Sequence, residues 1–248
     1  MDKRKEIKEL IKKLAEEEKI TEIRSRRKGE VKDLSLINQF KLNTLIPNKW
    51  FDWERRTDAK VMIIGQDWGP YSALKKYITD YELEKDNKEF DYDKFLFKTF
   101  SSRTEKFIIK SIENSFKEKY SQAMSIRDWD NFFFTMSVLF TRQGNLFRGN
   151  DNFEPKSSFE ISYPYLSRQI DIVSPKIIIP LGNMAWDVVK RHFKIDFKEK
   201  NITQIINKAT PTGFFKINET YIIPNYHPAS HVDPKIIHNQ FEKIWDLL

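Results

Sequence analysis

The chain has 248 residues, 43 lysines and arginines against 36 acidic residues for a formal net charge of +7, 40% hydrophobic content and no cysteine. That is enough apolar sequence to bury a core as one domain, and the lack of cysteine excludes disulfides and thiolate metal sites while leaving the redox compartment open. No apolar run reaches the length of a membrane span, Walker-type and dinucleotide fingerprints are absent, and the surplus of positive charge favours contact with phosphate, although many lysine-rich proteins bind none.

In chain order, residues 3–20 place Ile7, Leu10, Ile11 and Leu14 at helical spacing among lysines and glutamates, which predicts an amphipathic helix docked on the body rather than a secretion signal. Ser25-Arg26-Arg27-Lys28-Gly29 reads as a basic, solvated turn. Residues 37–57, with Trp50, Phe51 and Trp53 after Pro47, read as an irregular packing segment. Val61-Met62-Ile63-Ile64 then has the apolar, branched character of a strand buried on both faces, and it ends abruptly on Gly65-Gln66-Asp67-Trp68-Gly69-Pro70. Ligands in open α/β sheets collect where such strands end, so Asp67 is a candidate for chemistry. Spacing alone favours another role, capping a following helix with Pro70 in its first turn.

The segment 72–98 is charged and aromatic without a strong period and reads as an insertion over that loop. Ser102 and Glu105 stand at capping-box spacing before a helix that buries Ile108, Ile109, Ile112 and Phe116. Phe132 to Phe140, 177–182 and 221–226 are the next strands, with Phe214 to Asn218 pairing nearby. Asp233-Pro234 opens a last helix buried through Ile236, Ile237, Phe241, Ile244 and Trp245. Strands separated by helices imply an α/β fold, a three-layer α/β/α sandwich around a central, mainly parallel four-stranded sheet. The expectation is a single domain over 1–248, with 1–57 an N-terminal helical extension packed on it.

A second loop joins the first as a candidate. Tyr221-Ile222-Ile223-Pro224-Asn225-Tyr226-His227-Pro228-Ala229-Ser230-His231 is again an apolar run that ends in polar residues, and Pro228 holds His227 in an extended, stiff conformation. Only four histidines occur in the chain, and two of them fall here.

With these residues in view, the chain resembles the uracil-DNA glycosylase superfamily. Gly65-Gln66-Asp67 matches the first motif of its housekeeping-type enzymes, and His227-Pro228-Ala229-Ser230 is similar to the His-Pro-Ser loop of the second. Pro164-Tyr165-Leu166, Arg168-Gln169-Ile170, Pro175 to Gly182 and Ala185-Trp186 follow the helix-strand-Gly-Ala pattern of the iron–sulfur branch. That branch needs four cysteine ligands and this chain has none, so no cluster can form. Met136 falls where the family has its uracil-reading asparagine, and Gly69 where housekeeping-type enzymes carry the tyrosine that bars thymine, so the chain departs from the uracil enzymes at both positions.

The resemblance implies a monofunctional DNA glycosylase of base excision repair, acting on uracil or another deaminated or damaged base. Asp67 would position water and His227 would stabilise the leaving base. Gln66, Trp68, Phe100, Met136 and Ser137 would line the base pocket, with Phe100 either stacking on a flipped base or serving as a core aromatic. Asn145 or Ser137 would replace the missing amide, and Gly182, Asn183, Ser230, His231 and Arg142 would face DNA. Neither a cofactor nor a metal is expected; the partner is DNA, no membrane is involved, and the protein is expected to be monomeric and cytoplasmic. Two other readings stand beside it. One is a non-catalytic protein of the same fold that binds uracil-containing or damaged DNA. The other is a metal-dependent nuclease built from Asp67, Asp128, Asp130, His227 and His231.

Overall fold

The structure, a computed structural model, describes residues 2–16, 53, 56–66, 103–139, 155–199, 201–209 and 211–248. Five strands, β1 (Val61–Gly65), β2 (Phe132–Met136), β3 (Ile177–Pro180), β4 (Phe215–Ile217) and β5 (Thr220–Ile222), form one sheet in the order β2-β1-β3-β5-β4. β2, β1, β3 and β5 run parallel, as expected for strands separated by helices. β4 adds an antiparallel edge, pairing Phe215 with Ile222 and Ile217 with Thr220. It is the expected 214–218 segment, and Asn218 enters the left-handed region (φ 53°) to make its short turn.

The helices are α1 (Lys3–Ala15), α2 (Arg103–Tyr120), α3 (Ile126–Trp129), α4 (Pro155–Val173), α5 (Asn183–His192), α6 (Ile202–Ala209) and α7 (Pro234–Leu247). Alternation along β1 divides its apolar run between two cores. Val61 and Ile63 join the core that packs on α2, α3 and α7, and Met62 and Ile64 the core that packs on α1, α4, α5 and α6. A sheet buried on both faces is the reason for an unbroken rather than alternating apolar strand. This is the three-layer α/β/α arrangement.

Several expectations shift in detail. β2 stops at Met136 rather than Phe140, because Ser137 and Val138 leave the strand while their amides still donate to the carbonyls of Gly65 (2.8 Å) and Gln66 (3.1 Å). β3 ends at Pro180, which has no amide hydrogen to continue a ladder. Ile236, expected in the core, is 46% exposed, while Ile237, Phe241, Ile244 and Trp245 of the same helix are buried. Asp233 caps α7 by accepting from the Lys235 amide at 2.9 Å, with Pro234 opening the helix. α3 and α6 were not anticipated. Ser102, the insertion 72–98 and the basic turn at 25–29 lie outside the described residues.

The outer edge of β2 is closed by side chains. Trp53 Nε1 donates to the Phe134 carbonyl at 2.9 Å, and Arg56, 4% exposed, donates to the carbonyls of Phe132 at 2.9 Å and Trp129 at 2.7 Å. Carbonyls two residues apart point to the same side of a strand, so two of the outward carbonyls of this edge are taken and a foreign strand finds fewer acceptors there. α1 buries Ile7, Ile11 and Leu14, and its Glu6 pairs with Arg168 of α4.

Candidate functional site

All four parallel strands end at the same edge of the sheet, and the candidate loops leave from there. The first half of the site is built by β1 and β2. Gly65 pairs with Met136, and a Cβ at Gly65 would overlap the Met136 sulfur, so the thioether lies where a side chain would otherwise stand. Ser137 is fully buried, and its hydroxyl donates to the Gly65 carbonyl at 2.8 Å; that hydrogen supports the loop. α4 holds the same turn from behind, with Gln169 accepting from the Thr135 hydroxyl at 2.7 Å and the Ser162 hydroxyl accepting from the Leu139 amide at 3.0 Å. Gln66 is exposed, with its carbonyl taken by the Val138 amide. Asp67, Trp68, Gly69, Phe100, Arg142 and Asn145 lie outside the described residues.

The second half comes from β3 and β5. Leu181 bridges to Asn225, and the Gly182 amide donates to the Asn225 carbonyl at 2.8 Å. Gly182 sits at φ +85°, and a Cβ there would stand 3.2 Å from the Cβ of His227. The backbone conformation favours glycine, and the close approach leaves little room for any side chain. It also shows that the start of α5 and the His227 turn are packed directly together. Asn225 is 0% exposed; its side chain donates to the Ile237 carbonyl at 3.0 Å and accepts from the Tyr226 amide at 2.8 Å. One amide therefore joins the end of β5 to α7. Sequence reasoning passed over Asn225, whose only signal was its place two residues before His227.

The His227 turn is closed by the Ser230 amide, which donates to the His227 carbonyl at 2.8 Å. Within it, Nδ1 of His227 accepts from the Ala229 amide at 3.2 Å. A neutral imidazole has one donor and one acceptor nitrogen, so this bond places its hydrogen on Nε2. The turn thus selects a neutral ring that donates from its outer nitrogen.

Of the proposed DNA-facing residues, Gly182, Asn183, Ser230 and His231 fall on the same edge, with differing roles. The Asn183 side chain accepts from the Ile202 amide at 2.7 Å, which ties the start of α5 to the start of α6. The Gly182 amide is taken by Asn225, so an approaching phosphate would meet the amides that follow it at the positive end of α5. Ser230 Oγ is buried with no hydrogen-bond partner among the described residues, and His231 is exposed.

The metal-nuclease set is not assembled. Asp128 is held in a capping box with Ser125, whose hydroxyl lies 2.7 Å from the carboxylate, and Asp130 stands 3.8 Å from Arg56. Both residues precede β2, at the edge where strands begin. His227 follows β5, at the edge where strands end. The length of β2, about 15 Å at roughly 3.3 Å per residue, separates them.

The model of the uracil DNA glycosylase superfamily matches residues 51–248. The chain belongs to that superfamily. It is also similar to a type-4 uracil-DNA glycosylase from Sulfurisphaera tokodaii, at 36% identity over 88 residues, 34% of this chain. The match spans 39% of that relative's length. The iron–sulfur group that the resemblance brings with it does not fit this member of the superfamily, since cluster ligation needs thiolates and the chain has no cysteine. Among the described residues no helix is long and apolar enough to cross a membrane.

Proposed function

We propose that this chain is a monofunctional DNA glycosylase that hydrolyses the N-glycosidic bond of uracil, or of another deaminated or damaged base, as the first step of base excision repair. The observation that carries the reading is the His227 turn, in which Nδ1 accepts from the Ala229 amide and leaves Nε2 as the donor, at the sheet edge where β1 ends on Gly65. Departure of the base breaks the C1′–N bond with the electron pair going to the base. The sugar becomes an oxocarbenium ion, and the base gathers negative charge on a carbonyl oxygen. Nε2–H of His227 donates to that oxygen. Asp67 orients the water whose oxygen bonds to C1′ and receives its proton, and the base is released after protonation. A preorganised donor in a site closed to water contributes about 3–4 kcal/mol to such a transition state.

The reaction requires the base outside the helix, with Phe100 as its stacking surface and the α5 start, Ser230, His231 and Arg142 against the backbone. Met136 makes one wall an apolar thioether, so recognition there proceeds by shape rather than by paired hydrogen bonds. That favours a range of deaminated bases, hypoxanthine and xanthine included, over strict selection of uracil. The partner is DNA, and the protein acts as a cytoplasmic monomer. Met136 is also what favours the second reading, a DNA-binding protein of this fold without catalysis.

The test uses labelled oligonucleotides carrying uracil, hypoxanthine, xanthine or a thymine mismatch, single- and double-stranded, in EDTA, followed by alkaline cleavage of abasic sites. Excision should survive EDTA and fall about 100- to 1,000-fold in His227→Ala. A comparable or larger loss is expected in Asp67→Ala. Excision unchanged in both variants would overturn the mechanism, and binding without excision of any base would establish the second reading.

A further inference from the structure

A second group of ligating side chains lies outside the glycosylase site, where α2 packs on α7. The two helices share the core through Phe116 and Trp245, whose rings meet edge-on at 5.0 Å, and through a buried bond of 2.8 Å from Trp245 Nε1 to Ser115 Oγ. Lys119 and Asp246 add an ion pair at 2.7 Å. This fixed interface brings Glu118 of α2 against His238 and Glu242 of α7. The last two stand four residues apart and so project from one face of their helix.

His238 Nε2 lies 3.4 Å from Glu118 Oε2 and 3.7 Å from Glu242 Oε1, and the three atoms all lie within 4.8 Å of one another. A neutral ring nitrogen carries at most one hydrogen, so it can serve only one of the two carboxylates, and neither separation is that of a good hydrogen bond. The separations do suit a shared cation. Zinc bonds of about 2.0–2.2 Å in a tetrahedron set neighbouring ligand atoms about 3.3–3.6 Å apart. Lys119, the cation next in sequence to Glu118, is already paired with Asp246.

We propose that Glu118 Oε2, His238 Nε2 and Glu242 Oε1 form a divalent-cation site of the zinc class, with water completing the coordination, that pins α2 to α7. An imidazole among the ligands favours zinc over magnesium or calcium, which take oxygen donors. The ion is a staple and takes no part in bond cleavage. Its reach into the glycosylase site runs through the neighbouring Ile237, whose carbonyl accepts from Asn225 at the base of the His227 turn.

The test uses tag-free protein stripped with chelator and returned to metal-free buffer, titrated with zinc by calorimetry and with cobalt(II) by visible absorption. A single saturable equivalent is expected, with the intense d–d bands of a tetrahedral cobalt site. Zinc at about 100-fold above its Kd should raise the Tm by about 5–10 °C, and magnesium should not. His238→Ala and Glu242→Gln should each weaken zinc binding at least 10-fold. Glu118→Gln, at an exposed position, gives the same readout should either α7 variant lower the metal-free Tm. Absence of saturable zinc binding, or binding that persists undiminished in these variants, would overturn the proposal.

Discussion

The two edges of the sheet use similar residue types for opposite ends. Where the strands begin, polar groups are locked into local structure: Ser125 and Asp128 cap each other across α3, and Arg56 clamps the carbonyls of Trp129 and Phe132. Where the strands end, the side chains that would fill space are missing. Gly65 leaves its place to the Met136 sulfur and Gly182 leaves its place to His227. The histidine there is bound at Nδ1 by its own turn, which orients Nε2. A carboxylate or a histidine therefore says little about chemistry until its edge is known. The difference teaches that polar side chains brace local structure where the strands begin, while glycines admit close side-chain packing where they end.

The division can be broken by substitutions of matched severity. Arg56→Met removes two charge-assisted bonds and leaves two buried carbonyls without their donor, so unfolding in urea should show a loss of about 3 kcal/mol or more. Excision per folded molecule should stay at the wild-type rate, and a large loss of rate would mean that the two edges are not independent. Gly182→Ala inverts that pattern. Its backbone at φ +85°, ψ −175° lies in a region almost reserved for glycine and costs another residue about 1–3 kcal/mol, and the new methyl presses on the His227 turn. Because the contact asks the turn to give by only a few tenths of an ångström, single-turnover excision should fall about 10-fold, less than the roughly 100-fold that a 1 Å misplacement costs. Loss of stability with undiminished excision would show that His227 does not depend on this contact.

Much of this division was legible in the sequence, and the exceptions have physical causes. Val61 to Ile64 announced a doubly buried strand because each residue has apolar neighbours above or below, and Asp233-Pro234 announced a helix because capping is local. Gly65-Gln66 and the run leading to His227-Pro228 were found as segments that end strands, and β1 and β5 end at the same edge. Ile236 was misplaced because helical periodicity fixes a stripe without fixing its borders, and this residue lies just past the border. The packing roles of Asn225, Ser162 and Gly182 could not be read at all. Asn225 acts on Ile237, Ser162 on Leu139, and Gly182 is constrained by His227, and none of those partners is set by local spacing. Asp128 and Asp130 invited a metal reading for the same reason, since composition does not reveal at which end of a strand a carboxylate will stand.

The smallest effect expected separates the edges by pH. α5 begins beside His227 and ends at His192, where the ring lies 2.9 Å from Ser167 Oγ and 3.7 Å from Asp171. Burial holds the His192 pKa below its ordinary 6.5, and the Asp171 carboxylate opposes that shift without cancelling it. The unfolded chain therefore takes up the proton more readily than the folded one. This contribution to stability is complete above pH 6.5 and is lost as the pH falls toward the lower folded pKa. His192→Gln keeps a polar partner for Ser167 and removes the titration. Urea unfolding at pH 7.5, 6.5 and 5.5 should then show the variant gaining on the wild type as the solution is acidified. The excision rate per folded molecule should be the same for both at each pH, since His192 stands at the far end of α5 from His227. If the wild type instead gains on the variant in acid, the Asp171 attraction outweighs burial, and this end of α5 is held by an ion pair.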